Sequence, residues 1–504
     1  MVGIRESLGL LWSASDDSRM VQEGSTWHTW GEVRDLVERI DEELTRIGCV
    51  EGARIGIVIG NRTESIASLI AVLSKGRTVI TLNPMQPAGR VAADAVASQP
   101  QVVLAPAALW DDTEFESALT EAGCAGFAVD GAEVHRRAGG PEVPTPRPDA
   151  GHIPVAVEMF TSGTTGPPKR IPLTWRQLDA AMEAVHSHTG RNGSAASMFT
   201  GRVALVSLSI AHIGGLWGVI QALVEARPLV ILPRFTVDAW ADAVHEHGMA
   251  VAGLPPAAMR SVLDAGIPEE KLASLRAVMA GTTFVSPDLA DEFSERYGIP
   301  VMIMYGATEF SGAVAGWSKS LHAQWWKRKR GSVGRPFPGV RMRTVDEDGT
   351  VLPVGTSGRL EVCSSQTGTG TGEWVRTSDL AHLDEDGFLY IDGRADDTIV
   401  RGGFKIQPET VCNALRAHPS VLDASVFGRA DERLGQVPVA VVELVEGAKP
   451  VTEAELKDFT RSLLTAYEVP VAIHTVPVLP RSTSLKVDRR RLLEMVAELE
   501  SVRV

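Results

Sequence analysis

The sequence predicts an α/β fold, with layered parallel sheets and a small β-rich unit in a large N-terminal domain and a small domain behind it. Three observations predict this. Helix-like and strand-like segments alternate through the first third of the chain, the strand-like ones are continuously apolar, and the pattern restarts after Arg394. At 504 residues the chain is also too long for one hydrophobic core, so two or more domains are expected.

The elements follow in order. Residues 30–48 place Val33, Leu36, Val37, Ile40 and Leu44 at helical spacing. Residues 54–59 (RIGIVI) form a short apolar run, expected as a buried strand. Residues 63–73 suggest a second amphipathic helix, and 79–82 and 102–105 further strands. The proline- and glycine-rich stretch 139–148 suggests a surface connection. The alternation resumes with a strand at 204–209, a helix at 214–224 and a strand at 228–232. Residues 331–362, with the turn-forming DEDG at 346–349, suggest the small β-rich unit. Helices at 408–415 and 453–464 belong to a C-terminal domain of about 100 residues, a common domain size.

Composition narrows the function classes. A net charge of −14 argues against broad affinity for nucleic acid or anionic membrane, because polyanions need basic surfaces. Cys49, Cys124, Cys363 and Cys412 stand at no metal-ligand or redox spacing, as expected of free thiols in a reducing compartment. Residues 1–11 lack a basic stretch followed by an apolar run, and no apolar segment is long enough to cross a bilayer. A cytoplasmic protein is expected.

Residues 161–169 read TSGTTGPPK. Gly163 and Gly166 let backbone N–H groups turn inward, Thr161, Ser162, Thr164 and Thr165 supply hydroxyls, and Lys169 adds a point charge. Such a run can wrap a polyphosphate, and by itself it can equally be a polar turn. It is not the common P-loop, which places Lys-Ser or Lys-Thr directly after a glycine. Four further segments stand downstream: MYGATE at 304–309, RTSD at 376–379, GRADD at 393–397, and 480–491 with Lys486.

In this order the five segments resemble the acyl-adenylate-forming superfamily of acyl- and aryl-CoA synthetases, luciferases and peptide-synthetase adenylation domains. Weaker similarity begins near Thr29 and Asn61, so the resemblance spans nearly the whole chain. It implies an N-terminal adenylate-forming domain over 1–394 and a mobile α+β lid over 395–504. It also implies an acyl-CoA ligase whose partners are ATP, Mg2+, coenzyme A and a small-molecule carboxylic acid. Residues 161–166 and Lys169 would bind the ATP phosphates. Glu309 resembles the magnesium carboxylate, and a hard cation that keeps its waters needs only one or two protein oxygens. Thr308 would touch the α-phosphate, and Tyr305 would border adenine, with Gly281, Thr282, Gly306 and Ala307 alongside. Asp379 resembles the carboxylate that accepts from both ribose hydroxyls, with Arg394 near it. Asp396 matches the hinge, and Gly402 and Gly403 the thiol route. Lys486 resembles the catalytic lysine. His212, in SIAHIGGL at 209–216, would stand at the acyl-pocket wall with Gly281 and Gly306, or else is a core or helix-start histidine. No aspartate for an α-amino group stands near it, which favours a simple organic acid over an amino acid.

Three departures matter. Leu485 stands where glycine normally precedes the lysine, and its bulk restricts the backbone there. TGTGTG at 367–372 and GTTF at 281–284 replace the usual sequences near the acyl and adenine sites. The alternatives left open are a thioester half-reaction on a preformed acyl-adenylate, a ligase loading a carrier protein's phosphopantetheine, and a non-catalytic nucleotide-binding scaffold. WWKRKR at 325–330 is either a solvated loop or a dock for CoA phosphates or a partner. Neither the particular acid nor the oligomeric state is readable.

Overall fold

The computed structural model describes residues 3–139, 154–161, 169–189, 198–368, 372–401, 404–431, 433–482 and 485–501. The chain forms two compact units. One comprises Met1–His322, Phe337–Gly339 and Ser365–Thr371; the other comprises Ala323–Pro336, Val340–Ser364 and Gly372–Val504.

The first unit is built on a seven-stranded sheet. Its strand order is Glu133–Ala138, Ala125–Asp130, Val102–Ala105, Arg54–Val58, Thr78–Leu82, Val155–Thr161 and Lys169–Thr174. The five central strands are parallel and the two edge strands antiparallel. Thr78–Leu82 is buried at every position, as a strand covered on both faces must be. Helix Trp30–Arg46 starts on a capping box, in which Thr29 and Glu32 satisfy each other's backbone N–H groups. It stops two residues short of Gly48, whose φ of +87° cannot continue a helix.

Helix Thr63–Leu73 is not amphipathic as expected. Ten of its eleven residues are buried, because it lies between the seven-stranded sheet and helix Trp30–Arg46. The strand expected over 204–209 ends at Val206. Beyond it the buried Asn61 amide takes over: Nδ2 donates to the carbonyls of Leu208 and Leu232, and Oδ1 accepts from the Ile210 N–H. Another sheet runs parallel through Val251–Gly253, Ala277–Ala280 and Val301–Ala307, then adds Gly312–Gly316 antiparallel.

In the second unit the β-rich part is a four-stranded antiparallel sheet of Arg341–Val345, Gly358–Cys363, Val375–Leu383 and Leu389–Arg394. It therefore runs on past the expected limit at 362. After it come strands Ile399–Arg401, Phe404–Ile406, Val421–Asp431, Gly435–Leu444 and Ala472–Val476 in one sheet, with helices Pro408–Arg416, Glu453–Arg461 and Arg489–Ser501. All four cysteines are free and buried. Burial pushes the Cys49 thiol up to about 11 and the Cys124 thiol up to about 12, so neither is an available nucleophile at neutral pH. Among the described residues, no helix is long and apolar enough to cross a membrane.

Candidate active site

In the first unit the site begins where strand Val301–Ala307 leaves the sheet. It passes into a single 3-10 turn, Thr308–Phe310, and returns antiparallel as Gly312–Gly316. The reversal depends on Ser311 at φ +57° and Gly312 at φ +137°, and the Ser311 N–H closes it on the Thr308 carbonyl at 2.9 Å. Phe310 is buried and anchors the turn, which leaves Thr308 half-buried and Glu309 exposed. Gly306 makes the close crossing possible, since a Cβ there would lie 2.2 Å from the Gly312 carbonyl oxygen. Tyr305 is half-buried, with its ring 6.4 Å from that of Phe310.

Gly281 and Thr282 follow strand Ala277–Ala280. A Cβ on Gly281 would come within 2.9 Å of the Met304 carbonyl oxygen, so this bend and the Val301–Ala307 strand touch backbone to backbone. Thr282 has a left-handed backbone at φ +68°. His212 is half-buried and is the N-cap of helix Ile213–Val224, its carbonyl accepting from the Leu216 N–H at 3.0 Å. This helix start is tied to the same region. A Cβ on Gly214 would lie 3.6 Å from Thr282 Cγ2, and one on Gly312 would lie 3.7 Å from the Trp217 ring. His212, Gly281, Thr282 and residues 305–309 are thus brought into one neighbourhood.

Thr161 and Lys169 pair in antiparallel register at the ends of strands Val155–Thr161 and Lys169–Thr174. Strand Lys169–Thr174 runs beside the Thr308–Phe310 turn. Ser162, Gly163, Thr164, Thr165 and Gly166 lie outside the described residues, as do Gly402 and Gly403 of the second unit.

In the second unit Asp379, on strand Val375–Leu383, stands directly opposite Arg394 on strand Leu389–Arg394. The guanidinium is 3.8 Å from the Asp379 carboxylate, 3.5 Å from that of Asp396 and 3.6 Å from that of Asp397. Asp397 is also ion-paired with Arg489. The Asp379 N–H donates to Thr377 Oγ1 at 3.0 Å, and the Ala395 N–H donates to the Ser378 carbonyl at 2.8 Å, which joins the Asp379 strand to the turn carrying Asp396.

Lys486 is exposed, near the end of a turn between Pro480 and Asp488. Arg481 bridges to Val487, and the Ser482 N–H donates to the Lys486 carbonyl at 2.7 Å. The base of the turn is clamped by Arg481, whose Nη2 lies 2.6 Å from Asp423 Oδ2. Burial would raise the Asp423 carboxyl, but Arg416 and Arg481 hold it below the usual carboxylate range. Sequence reasoning missed this clamp, because its partners stand 58 residues apart with no local pattern to link them.

The basic cluster at 325–330 runs from the end of a short helix into a turn, where Lys327, Arg328 and Arg330 are exposed. The Arg328 guanidinium lies 4.2 Å from the Trp325 ring centroid, and Lys329 Nζ is 2.9 Å from Asp384 and 2.5 Å from Asp386. Arg328 and Lys329 are therefore engaged within the chain.

Among the described residues there is no group of three or more His, Cys, Asp or Glu able to hold a metal ion. Glu309 as a lone exposed carboxylate fits a Mg2+ that arrives on phosphate oxygens and keeps its waters.

Residues 13–371 match the family described as AMP-binding enzyme, and residues 411–486 match the AMP-binding enzyme C-terminal domain. The chain is 30% identical over 352 residues to a 2-succinylbenzoate–CoA ligase of Bacillus cytotoxicus, covering 68% of this chain and 70% of that one. It is 29% identical over 490 residues to an indoleacetate–CoA ligase of Aromatoleum aromaticum, covering 93% of each. The solved structure of O-succinylbenzoate coenzyme A synthetase from Bacillus subtilis, in complex with ATP and magnesium ion, matches with a TM-score of 0.79 at 24% identity. That match covers 97% of this chain and 99% of the other.

Proposed function

The chain belongs to the AMP-binding enzyme family, and on that premise we propose that it activates a carboxylic acid with Mg-ATP as an acyl-adenylate and passes the acyl group to coenzyme A. One observation carries the reading furthest. A single turn presents the Thr308 hydroxyl and the Glu309 carboxylate beside the strand that begins at Lys169. A hydroxyl and a carboxylate on one turn are part of the donor set that a metal-bound triphosphate requires.

In the first half-reaction a carboxylate oxygen of the acid attacks the α-phosphorus, the bond to the bridging oxygen breaks, and pyrophosphate leaves. Residues 161–166 and Lys169 hold the β- and γ-phosphates, while Thr308 donates to the α-phosphate. Glu309 would hold Mg2+, which supplies charge neutralisation on the phosphate oxygens. Tyr305 borders adenine, with Gly281, Thr282, Gly306 and Ala307 lining the approach. Asp379 accepts from the ribose hydroxyls, with the Arg394 guanidinium 3.8 Å away. Lys486 neutralises charge as it grows on the α-phosphate and orients the attacking carboxylate.

In the second half-reaction the thiol of coenzyme A loses its proton to solvent and its sulfur attacks the acyl carbonyl carbon. The carbon–oxygen bond to phosphate then breaks and AMP leaves. Gly402 and Gly403 would flank the pantetheine, where the lack of side chains permits close approach. His212, Gly281 and Gly306 wall the acyl site. The functional division falls at Arg394, with residues 395–504 turning about Asp396 between the half-reactions. Both consumed substrates are metabolites of the cell interior, which agrees with a cytoplasmic site of action.

The test is acyl-CoA yield by mass spectrometry over a broad panel of acids, run in two arms. One arm supplies free acid, Mg-ATP and coenzyme A; the other supplies preformed acyl-adenylates and coenzyme A. Product is expected in both. Product from neither arm, with ATP still bound, would turn the reading towards a non-catalytic nucleotide binder.

A further inference from the structure

Leu485 immediately precedes Lys486 and has a left-handed backbone at φ +61°. In an L-residue that conformation crowds Cβ against the following carbonyl oxygen, a penalty that glycine escapes. Asparagine and aspartate recover part of it through side-chain hydrogen bonds, but a leucine side chain has no polar atom with which to do so.

The surrounding backbone imposes this conformation. The Leu485 N–H donates to the Ser482 carbonyl at 2.9 Å, the Ser482 N–H to the Lys486 carbonyl at 2.7 Å, and the Asp488 N–H to the Pro480 carbonyl at 2.7 Å. Arg481 fastens the base of the turn to Asp423, and Arg416 holds Asp423 in turn at 2.9 Å. Anchors therefore stand on both sides of a residue that resists the shape they require. Any state in which the turn opens relieves Leu485, so the closed turn is less populated than the same turn built on glycine.

We infer that Leu485 is a positioning residue that restrains the adenylation half-reaction, because it raises the energy of the hydrogen-bonded pairing of 480–482 with 485–488 that presents Lys486. The inference rests on the ligase reading and on the place of Lys486 within it. The thioester half-reaction is not restrained in this way. It begins after pyrophosphate has left and so does not draw on the charge that Lys486 supplies to that step.

The test compares the wild type with Leu485→Gly and Leu485→Ala in three measurements. They are ATP–pyrophosphate exchange with an accepted acid, acyl-CoA formation from the preformed acyl-adenylate, and tryptic cleavage after Lys486 in the native protein. Leu485→Gly is expected to raise exchange about fivefold and to slow cleavage by about the same factor, while acyl-CoA formation stays within about twofold. Leu485→Ala keeps the left-handed penalty and should not share the gain. Unchanged exchange and cleavage in the glycine variant would overturn the inference. So would an alanine variant that matches glycine, since side-chain bulk rather than backbone would then be responsible. If the wild type yields neither exchange nor acyl-CoA across the panel, the ligase reading itself fails. Cleavage alone then decides the turn: slower cleavage with glycine upholds its strain, and unchanged cleavage overturns it.

Discussion

At the scale of single residues, Asp379 and His188 show how surroundings set chemistry. Asp379 is held by its strand opposite Arg394, with 18% of its side chain exposed, so a ligand reaching it meets an oriented acceptor. Asp379→Asn keeps the shape and removes the charge. A hydrogen bond to a charged group is worth about 1.5–3 kcal/mol, so kcat/KM for ATP is expected to fall by about one to two orders of magnitude. Acyl-CoA formation from saturating preformed adenylate should fall much less. His188 stacks on Phe337 at 4.2 Å, and its Nε2 is buried with no hydrogen-bond partner among the described residues. Burial pushes its imidazole below the ordinary 6.5, although a backbone bond to Trp317 opposes the shift. The folded state therefore prefers the neutral ring, and this contribution is complete above pH about 6.5 and declines as pH falls towards the lowered folded value. Thermal melts of His188→Gln between pH 7 and 5 should show a shallower loss of Tm than the wild type.

At the scale of elements, the strand–turn–strand from Val301 to Gly316 decides whether the site exists. Its crossing is closed on Gly306, where a Cβ would meet the Gly312 carbonyl oxygen at 2.2 Å and Ala313 Cα at 2.7 Å. Both obstacles are backbone and cannot rotate away. Gly306→Ala is therefore expected to cost about 1–3 kcal/mol of stability and to shift Thr308 and Glu309. A lower melting temperature together with a raised KM for ATP would bear this out; a raised KM at unchanged melting temperature would point to a local contact instead. The engagement of Arg328 and Lys329 also belongs to this scale, since the cluster at 325–330 is stacked and ion-paired within its own unit.

At the scale of the whole molecule, the chain matches two family descriptions in succession, AMP-binding enzyme over residues 13–371 and its C-terminal domain over 411–486. The proposed pivot, Asp396, falls between them. Proline fixes φ and restrains the residue before it, so Asp396→Pro should favour one arrangement of the C-terminal segment. Measured separately, one half-reaction is expected to fall by about tenfold or more while the other persists. Equal loss of both would argue that Asp396 is an ordinary turn residue.

Much of this was legible in the sequence because the signals are local. The apolar runs at 54–59 and 102–105 are strands, the 30–48 periodicity is a helix, and MYGATE marks a strand leading into an exposed turn. The helix Thr63–Leu73 was misjudged because its Ser and Ala residues resemble a polar face, while packing on several sides buries them. The stop at Val206 escaped notice because Asn61, far back in the chain, takes up the backbone groups beyond it. The sequence by itself determined the family, the reaction type and the candidate residues, since motif spacing and side-chain chemistry are carried by neighbours along the chain. Only the tertiary structure decided that Leu485 takes a left-handed backbone, that Arg481 is fastened to Asp423, and that Gly306 and Gly281 sit against other strands. Those facts depend on hydrogen bonds and steric contacts between residues distant in sequence, and chain order does not encode them one residue at a time.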